Sequence, residues 1–263
     1  MQRIKWMLLG LIGIAFYVNG QKTILLDNYY NNEFKPNNGD SFHYIWEDKA
    51  PSGFSEFGLL FEQRNGVLKT LRSAPTEANL KEVSVYIIVD PDDAKETKSP
   101  NRMNAKDANV IANWVKKGGV LLLLANAVGY CELDSLNLLA EAFGMRFNKD
   151  LLHPERVTGE GLPRDFNSCA SVNLPKHPLF TNVSKIFIKE VSTIQYKKPA
   201  TPILVEKGSV LIAEARFGKG YVLAVGDPWF YNEYIDHYWL PTDFENQKAA
   251  KNLVELLITK VRK

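Results

Sequence analysis

Three apolar runs in this 263-residue chain each stop at an acid or an amide. Leu26 leads into Asp27 and Asn28, Val89 into Asp90, Pro91 and Asp92, and Val225 into Gly226, Asp227 and Pro228. A fourth run, residues 120–124, is followed closely by Asn126. If these runs are neighbouring parallel strands, their carboxyl ends share one edge, where open α/β sheets bind ligands. Carboxylates and amides exchange hydrogen bonds with hydroxyls, and aromatic rings cover the apolar face of a sugar. A pair of such carboxylates can also serve as acid and base in glycoside hydrolysis. Asp27, Glu33, Asp90, Asp227 and Glu233 are the candidate catalytic carboxylates. Asn28, His43, Trp46, Asp48, Asp92, Asn126 and Trp229 are the candidate ligand-binding residues. Arg156 or Arg164 would meet the carboxylate of a uronic acid. The competing reading is that strand-end acids cap helix amino termini. For His43 taken alone, a structural role outweighs a catalytic one.

Other chemistry is poorly represented. The chain has no G-x-S-x-G elbow, no G-x-x-x-x-G-K-[ST] loop and no G-x-G-x-x-G after its first strand. No histidine pair has metal-ligand spacing, so no resident metal or other cofactor is expected. The acid-lined edge would nevertheless suit a hard divalent cation such as calcium. Cys131 lies several residues past the central strand, and no histidine is tied to it by spacing, so it reads as structural. Cys131 and Cys169 are the only cysteines. One disulfide and two buried thiols are both compatible with their positions.

The elements that must hold these residues can be read from periodicity. Ile111, Trp114 and Val115 form one helical stripe that stops at Gly118 and Gly119. Residues 120–124 are apolar throughout, as expected for a strand covered on both faces. Before them come strands at 23–26, 67–71 and 83–89. Between these lie a helix over about 51–64, a brief helix after Thr76, and a helix capped by Asn104. A helix over 132–143 follows. This alternation predicts a parallel sheet with right-handed crossovers. Residues 145–184 read as a loop-rich insertion. Strands at 185–191, 203–206, 210–215 and 221–225 come next, with a glycine turn at 216–220, and residues 246–260 read as an amphipathic helix.

The first twenty residues stand apart. A basic start, the apolar run 6–17 and Val18-Asn19-Gly20 read as a signal peptide cut before Gln21. Residues 21–263 then form a single domain, secreted or periplasmic, with no stable membrane insertion after cleavage. Net charge is +2 without a basic stripe, which argues against a nucleic-acid partner.

The stretches LLDNYYNNE, FHYIWEDKAPSGFSEFG, VYIIVDPD, WVKKGGVLLLLANAVGYCELDSLNLLAEAFG and GKGYVLAVGDPWFYNEYID carry a family resemblance. The order of elements resembles the class I glutamine amidotransferase-like fold. This implies an α/β three-layer sandwich of flavodoxin-like type with a mostly parallel central sheet. More closely, the chain resembles an exported bacterial domain found alone or beside unsaturated rhamnogalacturonyl hydrolases in Bacteroidetes-type glycan degradation. A weaker similarity is to GldG-like and intraflagellar-transport-like domains, whose role is binding. True amidotransferases place a nucleophilic cysteine after the central strand, where this chain has Asn126, and no His-x-Glu follows. Glutamine hydrolysis is therefore not expected. The resemblance implies a carbohydrate-associated protein that binds pectin-derived, rhamnogalacturonan-type oligosaccharides beside a glycoside hydrolase partner. Binding is favoured over hydrolysis. The alternative is a non-catalytic protein-interaction module on the same fold.

Overall fold

The computed structural model describes residues 20–35, 39–156, 165–230, 232–235 and 240–261. The expected signal peptide falls almost wholly outside these residues, as does Arg164. No helix among the described residues is long and apolar enough to cross a membrane.

A seven-stranded mixed sheet organises the chain. In chain order the first elements are β1 (Lys22–Asp27), α1 (Ser55–Glu62), β2 (Gly66–Leu71), α2 (Glu77–Leu80), β3 (Val85–Val89), α3 (Ala105–Lys117), β4 (Val120–Leu124) and α4 (Leu133–Ala140). Short strands follow as β5 (Met145–Phe147), β6 (Ala170–Ser171), β7 (Ile186–Phe187) and β8 (Ile194–Tyr196). The chain closes with β9 (Ala200–Glu206), β10 (Ser209–Phe217), β11 (Gly220–Val225), α5 (Asn232–Ile235) and α6 (Asn246–Lys260). The sheet order is β2-β1-β3-β4-β11-β10-β9. Neighbours from β2 to β11 are parallel, and β10 and β9 join antiparallel. The last two joins follow from chain length. Lys207-Gly208 and Gly218-Lys219 are two-residue turns, which can connect only antiparallel strands.

The apolar strands are covered on both faces, because successive side chains point to opposite sides. Ile24, Leu26, Ile87, Val89, Leu122 and Leu124 pack with Phe57, Phe61, Ala250 and Leu253 of α1 and α6. Leu25, Tyr86, Ile88, Leu121 and Leu123 pack with Ile111, Val115, Leu136 and Leu139 of α3 and α4. Asn104 caps α3, accepting from the Lys106 and Asp107 N–H groups, and Thr76 forms a capping box with Asn79. Gly118 has φ +128°, and a Cβ on Gly119 would stand 2.4 Å from the Trp114 ring. A helix that turns so sharply into the central strand needs both glycines.

The stretch from 145 to 196 departs from the sequence reading. β5 pairs with β8, and β6 with β7, as small antiparallel pairs outside the main sheet. The strand expected over 185–191 is only Ile186–Phe187. Glu190 takes a left-handed conformation, φ +49°, that ends extended structure. Strands of two or three residues are too short to show a period. The helix expected over 132–143 is α for 133–140 and finishes as a 3-10 turn at Glu141–Phe143.

Candidate functional site

The register places the candidate residues along one edge. Val89 and Val225 are both level with Leu124, so Asp90 and Gly226 leave the sheet at the same height on either side of Ala125. β1 lies beside β3, which brings Asp27 to the same edge.

Asp27 serves the fold. One oxygen accepts from the N–H groups of Tyr29 and Tyr30 at 3.1 and 2.7 Å, and the other accepts from the Tyr86 hydroxyl. Burial pushes its carboxyl up to about 6, and these hydrogen bonds hold it from rising further. Asn28 donates to the Asn31 carbonyl at 2.7 Å and accepts from Arg72. Asp48 accepts from the Ala50 N–H at 2.9 Å, closing a local turn.

The two expected ring platforms are corrected by burial. Trp229 is fully buried, donates to the Phe187 carbonyl at 2.9 Å and packs against Phe230. Trp46 is also buried, donates to the Lys69 carbonyl at 3.2 Å, and sits among Phe54, Phe57 and Phe61. Neither has a face free for a sugar. Residue type suggested exposure, but an indole at a sheet-to-helix junction fills the core and needs only one hydrogen-bond acceptor.

Glu33, His43, Asp90, Asp92 and Asn126 do come together. The Nδ1 atom of His43 lies 3.0 Å from Glu33 Oε2. Asn126 donates to Asp90 Oδ2 at 3.2 Å and accepts from the Ala127 N–H at 2.8 Å. Asn31 donates to the Asp90 carbonyl at 3.0 Å. Asp92 Oδ2 accepts from the Asn32 N–H at 3.0 Å and from the Thr97 hydroxyl at 2.5 Å. Asp90 has φ +41°, and Pro91 follows it, so the chain turns sharply off β3 and aims both acids at one place. Burial drives the Asp90 carboxyl well above the usual carboxylate range, with the charge of Glu96 next in effect. Burial lifts Asp92 to about 6.

Three members of this group were not among the candidate site residues read from the sequence, where Cys131 was taken as structural. Glu96 brings an oxygen to within 4.8 Å of oxygens from Glu33 and Asp92. It also accepts from the Asp93 N–H at 2.9 Å, and the Asp93-x-x-Glu96 spacing is the signal that could have marked it. Cys131 turns its thiol toward Asp90, and burial raises that thiol well above its usual value. Asn31 lies between the exits of β1 and β3. Phe34 and Tyr130, which adjoin Glu33 and Cys131 in the chain, are 51% and 46% exposed.

Asp227 keeps different company. Its Oδ2 accepts from the Lys189 N–H at 3.1 Å, and burial pushes its carboxyl up to about 7. The Lys189 ammonium lies 2.7 Å from Glu155 and 3.4 Å from Glu190. Burial alone would lower this lysine, but the two acids more than offset it. Glu233 donates its N–H to the Pro51 carbonyl at 3.1 Å. Arg156 is exposed on the segment beside Glu155.

No family model matches the sequence, and no curated protein matches it. Solved structures do match its shape. The mmIFT52 N-terminal domain superposes with a TM-score of 0.68 at 17% identity, covering 90% of this chain and 98% of that domain. A cytoplasmic protein from Salmonella typhimurium, STM3548, gives 0.54 at 14% identity over 92% of this chain and all of its own. A glutamine amidotransferase from Thermotoga maritima gives 0.52 at 13% identity over 93% and 100%. At such identities the likeness is one of fold. The chain has a mixed α/β architecture with a mostly parallel central sheet, consistent with the flavodoxin-like and amidotransferase-like class.

Proposed function

We propose that this chain is a binding domain whose sheet edge, around Glu33, Asp90, Asp92 and Asn126, recognises a polyhydroxylated glycan, and that it does not hydrolyse it. The observation that carries this reading is the gathering of that acid and amide group at the sheet edge, with exposed Phe34 and Tyr130 next in the chain to Glu33 and Cys131. These two rings offer the open aromatic surface that Trp46 and Trp229 lack. Hydrolysis is disfavoured by geometry. Asp27 has both oxygens held within the fold. Asp227 is likewise engaged, its Oδ2 accepting from the Lys189 N–H beside Glu155 and Glu190. The finer reading is a three-layer sandwich exported after cleavage before Gln21, binding rhamnogalacturonan-type oligosaccharides beside a glycoside hydrolase. Amino-terminal sequencing of the exported protein checks the cleavage.

The deciding experiment is a thermal-shift screen of the purified protein against pectin oligosaccharides. A ligand that binds only the native state raises the melting temperature by mass action. We expect a shift that is lost in Tyr130→Ala and Phe34→Ala, whose unliganded melting temperatures stay near that of the parent because both rings are exposed. No shift with any pectin fragment at millimolar concentration sinks the glycan reading. The interaction-module alternative would then lead. Exposed Val128 favours that alternative, because its N–H donates to the Asp150 carbonyl and so sets it beside exposed Leu151 on the same edge.

A further inference from the structure

We infer that Glu33, Asp92 and Glu96 form a binding site for a hard divalent cation of the calcium type. One oxygen from each lies within 4.8 Å of the others. Calcium holds its oxygen ligands at about 2.3–2.6 Å, so oxygens on a single ion stand at most about 5 Å apart. Proximity alone would not suffice, since acids cluster on many surfaces. Asp92 supplies the independent observation. It is 0% exposed, and its Oδ1 has no hydrogen-bond partner. The other oxygen is fixed by the Asn32 N–H and the Thr97 hydroxyl, so the carboxylate is held in place with one acceptor unused. The neighbouring Asn31 Oδ1 is a second buried acceptor without a partner. Native structures rarely leave such atoms unsatisfied unless an ion or water fills the place.

Among the described residues, Asp48, Asp90 and Asp227 also bury a carboxylate oxygen without a hydrogen-bond partner, but none of them belongs to a three-acid cluster of this spacing, and other buried acids are answered from within the fold. Asp107 accepts from the Tyr30 hydroxyl and the Asn104 amide. Glu132 accepts from Ser135 and pairs with Arg102. Among the described residues no lysine or arginine stands within ion-pair distance of Glu33, Asp92 or Glu96, and only His43 meets Glu33. That histidine occupies Oε2 and leaves Oε1 for a ligand role, in the manner of the outer partners that orient metal-binding carboxylates. Glu96 is exposed and gives the ion its path of entry, with water completing the shell. The ligands come from two loops rather than a rigid frame. Calcium tolerates such variable geometry, whereas magnesium demands a near-ideal octahedron.

The cation site shares Glu33 and Asp92 with the edge proposed to recognise a glycan but does not depend on that reading, and the two are tested separately. Calcium chloride is titrated by calorimetry into the purified protein after chelator treatment and dialysis. Saturable one-site binding is expected, weakened at least about tenfold in Glu96→Gln and in Asp92→Asn. Glu96→Gln should melt like the parent without calcium, because Glu96 is exposed, so its loss of binding cannot be a folding defect. Glu77→Gln, an exposed acid on α2, should bind as the parent does. Two results would overturn the site: no binding up to about 10 mM calcium, or equal affinity in the parent and Glu96→Gln. Glycan binding measured in chelator reports on the glycan reading whichever way the calcium result falls.

Discussion

Asp227 ends β11 with one oxygen on the Lys189 N–H and its carboxyl pushed up to about 7. The unfolded chain releases that proton near pH 4, the usual carboxylate value. Between pH 4 and 7 the folded state therefore holds more protons than the unfolded one, and stability falls as pH rises through that window. Above it the loss is complete and constant, on the order of 4 kcal/mol for this one group. Asp227→Asn should flatten the decline, which denaturant unfolding at pH 5 and pH 8 would measure. An unchanged slope would remove Asp227 as its source. At the same scale, residue type was a good guide to Glu33, Asp90, Asp92 and Asn126 as neighbours. It was a poor guide to Trp46 and Trp229, whose rings are buried. A sequence names an aromatic side chain but not the surface that will cover it.

At the scale of the element, the candidate edge depends on sharp exits from strands. Gly226 follows β11, and a Cβ there would stand 2.0 Å from the Ser192 carbonyl oxygen. The Ser192 N–H donates to the Gly226 carbonyl at 2.9 Å, so the two backbones are fastened together and neither can yield. Gly226→Ala should destabilise the protein by roughly 2–4 kcal/mol, in the range of overpacking and broken backbone contacts. Chemical denaturation measures this, and a change below about 0.5 kcal/mol would show that the exit is free to move. Periodicity located most of the long elements well, because four or more turns or a fully apolar strand leave an unmistakable pattern. The helix over 246–260 and the strands at 120–124 and 221–225 match those of the structure, the last beginning one residue earlier. β5, β6 and β8 escaped and β7 is shorter than the strand read over 185–191, since these pairs depend on partners far away in the chain.

The whole molecule settles the cysteines. Cys131 belongs to the core on the α3 and α4 side of the sheet, and Cys169 to the core on the α1 and α6 side. Both are buried and free, and the sheet between them prevents a disulfide without refolding. A thiol reagent should react slowly with the native protein and rapidly with two groups per chain after unfolding, and reductant should leave the melting temperature unchanged. A melting temperature lowered by reductant would contradict the separation of the two thiols.

By itself the sequence determined the strand-and-helix alternation, the doubly covered central strands and the gathering of acids at their carboxyl ends. Those features are local, being set by side-chain period, capping residues and glycine. Only the tertiary structure decided which acids share a site. Asp27 was drawn into hydrogen bonds with Tyr29, Tyr30 and Tyr86, and Asp227 into the company of Lys189. Glu96 was brought to Glu33 across a separation that no spacing rule records. A carboxylate's role follows from the donors and charges that packing places around it, and packing is a property of the folded chain.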